Sequence, residues 1–222
     1  MEFRILGPLE VIHDGHAVDV GGLKQRAVLA LLLVDGNRVV SLDRLIDQLW
    51  GDEAPPRATG SLQAYISNLR RALEPGRPPR TPPSVLVTLP PGYVLRIADE
   101  DLDAARFQHL AVEGRRRLDE GRPADAYEAL STALALWRGP ALADFSYHTF
   151  ARTESARLDE LRLTALEDRI EAEMALGRHA AAVAELEGMV KEQPLRERLW
   201  GMLMLALYRS GRQAEALRAF TA

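Results

Sequence analysis

The 222-residue sequence contains no cysteine. That removes disulfides, thiolate metal sites and cysteine nucleophiles together, and is compatible with a reducing compartment. Lysine is nearly absent as well: Lys24 and Lys191 are the only two among 28 basic residues. No apolar run approaches the ~20 residues needed to cross a bilayer. The run of residues 29–34 lies inside what reads as an amphipathic helix. Residues 1–6 lack a basic stretch followed by an apolar one, so no secretory leader and no membrane partner are expected, and the chain is expected in the cytoplasm. Enzyme fingerprints are missing too: there is no Gly-x-x-x-x-Gly-Lys-Ser/Thr, no Gly-x-Ser-x-Gly and no dinucleotide motif. His13, His16, His109, His148 and His179 show no ligand spacing with carboxylates. His13 and His16 share one turn and read as an exposed hairpin rather than metal ligands. No catalytic residue, cofactor or metal is expected.

What is present is an ordinary globular composition, 47% hydrophobic and 27% charged, at a length that suits two domains. The formal net charge of −4 is spread unevenly. Residues 54–96 hold six arginines (Arg57, Arg70, Arg71, Arg77, Arg80, Arg96) against the single acid Glu74, while the flanking segments are acidic. Phosphate binding follows the local field rather than the total, so nucleic acid would be met in this middle segment.

The first 20 residues alternate like strands, Phe3, Ile5, Leu9 and Val11 on one side. A turn at 13–16 and a returning strand through Val18 and Val20 follow. Gly21-Gly22 releases a helix to about Asp35, with Leu23, Ala27, Val28, Leu31 and Leu32 as its apolar stripe, Lys24 and Arg26 near its start, and Gly36 closing it. Ser41 caps a second helix whose Leu42, Leu45, Ile46, Leu49 and Trp50 form one face. A third helix is expected from about Arg57 to Glu74, buried through Leu62, Ile66, Leu69 and Leu73. Five prolines in residues 75–83 exclude regular structure there, and alternation resumes on both sides of Leu89-Pro90-Pro91-Gly92 as a hairpin. The order β-β-α-α-α-β-β is that of a winged helix-turn-helix.

In such a motif the second helix enters the major groove, held by one apolar side and presenting short polar or basic groups on the other. The third helix meets both demands. A 100° step sends Ala64, Ser67, Asn68 and Arg71 outward, with Ser61 and Gln63 on the flanks. Asn can read adenine and Arg guanine, each with two hydrogen bonds, and Ala or Ser permits close approach. Arg57 and Arg70, nearer the edge, suit phosphates. Lys24, Arg26, Arg80 and Tyr93 complete the expected DNA-binding set; with no basic residue at the wing tip, minor-groove contact is expected to be weak or to fall to Tyr93 or to backbone groups.

After Ile97 the sequence reads as helix. The phrase Gly-Arg followed by spaced alanines recurs at Gly121-Arg122, Gly177-Arg178 and Gly211-Arg212, the last two 34 residues apart. That is the period of tetratricopeptide hairpins, and Trp200, Leu203 and Pro194 fall at its aromatic, leucine and proline positions. Residues 138–145 interrupt the array. Arg115-Arg116-Arg117 reads as a solvated helix face. The pattern is unfinished at Ala222, so the last helix is expected to be incomplete, in a truncated chain or in the front part of a longer polypeptide.

The sequence resembles the Streptomyces antibiotic regulatory protein family over residues 3–222. The resemblance rests on Phe3-Arg4-Ile5-Leu6-Gly7-Pro8-Leu9-Glu10-Val11, Lys24-Gln25-Arg26-Ala27-Val28-Leu29-Ala30-Leu31-Leu32 and Leu45-Ile46-Asp47-Gln48-Leu49-Trp50-Gly51. It extends through Asn68-Leu69-Arg70-Arg71-Ala72-Leu73, Gly92-Tyr93, Leu136-Trp137-Arg138-Gly139 and Leu207-Tyr208-Arg209-Ser210-Gly211-Arg212. It implies an OmpR-type winged helix over residues 1–98 and a bacterial transcriptional activation domain over 99–222. It further implies binding to promoter direct repeats near the −35 element, RNA polymerase holoenzyme as protein partner, and targets among secondary-metabolite genes. Tandem copies or a homodimer would occupy the DNA. The alternative from another class is a helical-repeat adaptor that binds only protein, its N-terminal domain being a docking module. The arginine-rich third helix discriminates against it.

Overall fold

In a computed structural model, described over residues 1–220, the chain forms two compact units, neither of them one run of sequence. Met1–Phe107 packs with Leu136–Glu160, and Gln108–Ala135 packs with Leu161–Ala222. The first packed unit thus runs on to Phe107, and the segment from Leu136 to Glu160 returns to it.

The first unit opens with a three-stranded antiparallel sheet, β1 (Glu2–Arg4), β2 (Glu10–His13) and β3 (His16–Ala17), with Phe3 opposite Val11. The expected returning strand is shorter than its alternation suggests, although the Val18 N–H still donates to the Val11 carbonyl at 2.8 Å. Helix α1 (Leu23–Val34) follows. It is not amphipathic: residues 27–33 are buried on every side, the state of a central helix. Leu23, expected in its stripe, is exposed at the first helical position, and polar Gln25 is buried instead. The left-handed residue after α1 is Asn37 rather than Gly36. Its short amide tolerates that conformation and clasps Ile97 by accepting from the N–H and donating to the carbonyl.

The strand β4 (Val40–Ser41), too short for any sequence pattern, comes next and leads into α2 (Leu42–Trp50) and α3 (Ala58–Leu73). Ser41 Oγ caps α2 as expected, accepting from the Arg44 N–H at 3.2 Å. In α3 the four expected positions, Leu62, Ile66, Leu69 and Leu73, are all buried. The terminal hairpin is β5 (Leu86–Leu89) with β6 (Gly92–Leu95), and β6 lies between β5 and β4. Gly92 permits that pairing, since a Cβ there would sit 1.9 Å from the Val40 carbonyl oxygen.

Buried Asp103 ties the segment that follows β1 to the start of α4 (Asp103–Asp119), its two oxygens accepting the Ile5 and Leu6 N–H groups at 2.8 and 3.0 Å. Burial pushes its carboxyl above the usual range, opposed by those two hydrogen bonds and by Arg138. Residues 136–145 brace the same segment: the Arg138 and Leu142 N–H groups donate to the Leu6 and Ile5 carbonyls, and Trp137 meets Phe107 edge to face.

The remaining helices are α5 (Pro123–Leu134), α6 (Thr149–Ala175), α7 (His179–Glu192), α8 (Glu197–Arg209) and α9 (Gln213–Phe220). The recurring Gly-Arg phrase is one local structure made three times. Gly121, Gly177 and Gly211 all have φ between +71° and +79°. Each donates to the carbonyl three residues back, and the following arginine N–H donates five residues back, to Arg117, Glu173 and Leu207. That is the Schellman stop, for which glycine is the residue without a Cβ penalty. Trp200 donates its Nε1–H to the Pro194 carbonyl at 2.9 Å, and buried Leu203 joins the core around Ile170, Leu186 and Leu199. Among the three arginines at the end of α4, only Arg116 is more than half exposed, and it pairs with Glu113 and Glu120. Arg115, expected on a solvated face, instead reaches Asp168 and Glu171 of α6. The side chain of Phe220, third in the repeat pattern, and the completion of the last helix toward Ala222 lie outside the described residues.

Candidate nucleic-acid interface

The outward face of α3 is set by its own periodicity. With Leu62, Ile66 and Leu69 fixed inward, Gln63, Ala64, Ser67, Asn68 and Arg71 are exposed and Ser61 is half-buried. The face begins one turn earlier than sequence reasoning placed it, because Thr59 and Gly60 are exposed too. Both are small, and the first turn of such a helix is where base edges are approached most closely. Arg57 occupies the N-cap position, also exposed.

Arg57, Arg71, exposed Arg80 and Arg96 have no carboxylate partner among the described residues. The other two arginines of the segment are engaged. Arg77 faces Glu74 at 3.5 Å. Burial pushes the Glu74 carboxyl up, but hydrogen bonds from Ser84 and Val85, with Arg77, hold it below the usual range.

Arg70 does not stand at a free edge. Its Nε–H donates to the Leu86 carbonyl at 2.8 Å, its Nη2 to Thr88 Oγ1 at 2.7 Å, and its guanidinium lies 5.9 Å from the centre of the Tyr93 ring. Arg70 thus pins α3 to the hairpin, and burial lowers its pKa without discharging it. Tyr93, expected to reach the minor groove, is buried beneath it at 9% exposure. Arg26 is likewise committed, its Nη2 donating to the Leu9 carbonyl at 2.9 Å and to Asp144 at 2.6 Å. These three internal engagements escaped the sequence for one reason. Helical spacing tells which face a residue takes, not which distant strand or loop will meet it there.

Lys24 remains exposed, its ammonium 4.7 Å from the centre of the Trp50 ring, and Trp50 stacks on Tyr65. A cation over an aromatic face keeps its charge and its outward N–H groups available. Asn68 donates its Nδ2 to the Gln25 Oε1 at 3.2 Å, a contact between α3 and α1 that the sequence did not suggest. Among the described residues no cluster of histidines and carboxylates could hold a metal, and no helix is long and apolar enough to cross a membrane.

A recognition helix with an exposed polar and cationic face, a pinned wing beside it and helical hairpins after it define a winged helix-turn-helix transcription regulator. Residues 21–95 match the transcriptional regulatory protein C-terminal family and residues 102–222 the bacterial transcriptional activator domain. Along 99% of its length the chain is 42% identical to the regulatory protein AfsR of Streptomyces coelicolor and 39% identical to the regulatory protein DnrI of Streptomyces peucetius. It spans 21% of the former and 82% of the latter. A solved structure of Mycobacterium tuberculosis EmbR, in complex with a low affinity phosphopeptide, superposes with a TM-score of 0.93 at 42% identity, over 99% of this chain and 57% of that one. The chain belongs to the Streptomyces antibiotic regulatory protein family of transcription regulators.

Proposed function

We propose that the protein is a sequence-specific DNA-binding activator, without enzymatic activity, in which α3 lies in the major groove and the helical hairpins contact RNA polymerase. The observation that carries this reading is the face of α3: small polar side chains flanked by Arg57 and Arg71, cations that no internal carboxylate neutralises. Phosphate oxygens would complete them, releasing condensed counterions. Arg57, Arg80 and Lys24 take phosphates, Asn68 and Arg71 take base edges, and Ser61, Gln63, Ala64 and Ser67 line the approach. Such a protein works where the chromosome is, in the cytoplasm, and membership of an antibiotic regulatory protein family supports antibiotic-biosynthesis genes as targets. The functional division is residues 1–98 for DNA and 99–222 for activation, with residues 136–145 a brace supplied by the second to the first.

Two copies bind direct repeats near the −35 element, head to tail, with half-sites about 10–11 base pairs apart so that both face one side of the duplex. Selecting bound fragments from random DNA and footprinting them tests this. Direct repeats at that spacing are expected, and five inserted base pairs abolish cooperativity. Inverted repeats bound by a preformed dimer would overturn the assembly, and failure to select any sequence would overturn the function.

A second reading, a protein-only adaptor, draws on an apolar groove of about 460 Å³ between α8 and α9, where Leu205, Tyr208 and Leu217 are exposed. Under the first reading this surface belongs to protein contact during activation. A gel shift separates the two.

A further inference from the structure

We propose that Gln25, buried in α1, is a positioning residue that fixes the polarity of the Asn68 amide and so makes α3 select an adenine. This rests on α3 facing DNA. The Val20 carbonyl, having no hydrogen to give, can only accept. Gln25 Nε2 lies 2.9 Å from it, so the amide must be turned with its nitrogen toward Val20. Its Oε1 is then the atom offered toward α3, and it too can only accept. Asn68 must answer with Nδ2, at 3.2 Å. The opposite rotation would set two amide oxygens against each other.

Gln25 cannot escape by turning into water. It is 8% exposed, and its amide is packed against Gly21, where a Cβ would sit 2.5 Å from Nε2. Gly21 holds that space open at φ +83°, its N–H donating to Asp19 Oδ1 at 2.8 Å. Asn68 itself is exposed. With one N–H committed to Gln25, it presents Oδ1 as acceptor and its second N–H as donor. Adenine offers the complement in the major groove, an N6–H donor beside the N7 acceptor, whereas guanine offers two acceptors. A freely rotating asparagine would present either order. The relay from Val20 through Gln25 leaves one.

The test measures the full chain on duplexes that vary one base pair at a time within a selected site, with random duplex as reference. Asn68→Ala is expected to lose roughly tenfold discrimination for adenine at one base pair. Gln25→Leu is expected to lose the same preference at the same base pair while keeping its affinity for random duplex. The double variant should lose no more than either single one. Gln25→Met, close in length and without an amide, leaves Gly21 and Asn68 untouched and carries the test if Gln25→Leu does not fold. Retention of the full adenine preference by a folded Gln25→Leu or Gln25→Met variant overturns the relay. So does an Asn68→Ala protein that discriminates at every position as the parent does. A parent chain that binds no DNA overturns the functional reading, and the relay with it.

Discussion

Arg57, Arg71, Arg80 and Arg96 carry no carboxylate partner among the described residues, whereas Arg115, Arg116, Arg122, Arg169, Arg198 and Arg212 each hold at least one. The same side chain is used in opposite ways in the two regions. In the helical hairpins arginine fastens helix to helix: Arg198 bridges to Glu167, Asp168 and Glu171 of α6, two of them buried. An arginine so employed would have to abandon a carboxylate to take a phosphate. Around α3 no such exchange is needed, and the charge is available to a partner at the outset. Sequence charge counts alone do not separate these uses, because they treat a paired and an unpaired cation alike.

The sharpest way to break this contrast is charge reversal on both sides of it. Arg57→Glu with Arg71→Glu should weaken binding to a selected duplex roughly a hundredfold or more. Arg116→Glu with Arg122→Glu, the same formal change in the hairpins, should leave affinity within about twofold by fluorescence anisotropy. Equal losses would show that net charge, not the α3 face, governs binding.

The next effect is on the brace. Asp103→Asn leaves one oxygen where two backbone N–H groups need acceptors, and turns an amide N–H toward one of them. A loss of about 2–3 kcal/mol in chemical denaturation is expected, the cost of hydrogen bonds to a buried charged group. An unchanged midpoint would remove Asp103 from the packing of the first unit.

Arg70→Ala should cost about 1–2 kcal/mol of stability by freeing the Leu86 carbonyl and unpinning the hairpin. It should lower affinity for selected and random DNA alike. A loss confined to DNA binding, with stability intact, would restore Arg70 as a phosphate ligand.

The smallest effect concerns acid. Hydrogen bonds from Arg116 and Arg117 hold the Glu113 carboxyl down to about 2, and Arg212 lowers that of Glu215. Carboxyls with folded pKa values below the ordinary 4.5 contribute stability that is complete above about 4.5 and lost as pH falls from there through 2. Thermal melts over that window should fall, and less steeply for Glu113→Gln. A parallel fall in parent and variant would place the acid sensitivity elsewhere.

Much of the fold was legible because it is written in short-range pattern. The apolar positions of α3, the Ser41 cap and the three Gly-Arg stops each depend on residues within one or two turns. What escaped depends on residues far apart in the chain. β4 is two residues long and exists only through its pairing with β6. Arg26 is taken up by Asp144, 118 residues later, and Tyr93 is covered by Arg70. Within the interface, the outward residues of α3 were readable from a 100° step, but the fates of Arg70 and Tyr93 were not. The Gln25–Asn68 contact was hidden for a related reason: a glutamine early in a helix reads as solvated unless the backbone carbonyl that receives it is known.

The most direct measurement is the salt dependence of binding to a selected duplex, for the parent and for Arg57→Ala. With Arg70 and Arg77 engaged internally and Arg71 directed to base edges, three or four of the cations Lys24, Arg57, Arg80 and Arg96 are left to meet phosphate. The logarithm of the binding constant should then fall against the logarithm of salt concentration with a slope of roughly −3 to −4, and Arg57→Ala should reduce the slope by about one. A slope near zero, or one that Arg57→Ala leaves unchanged, would contradict a DNA interface built on the unpaired cations around α3.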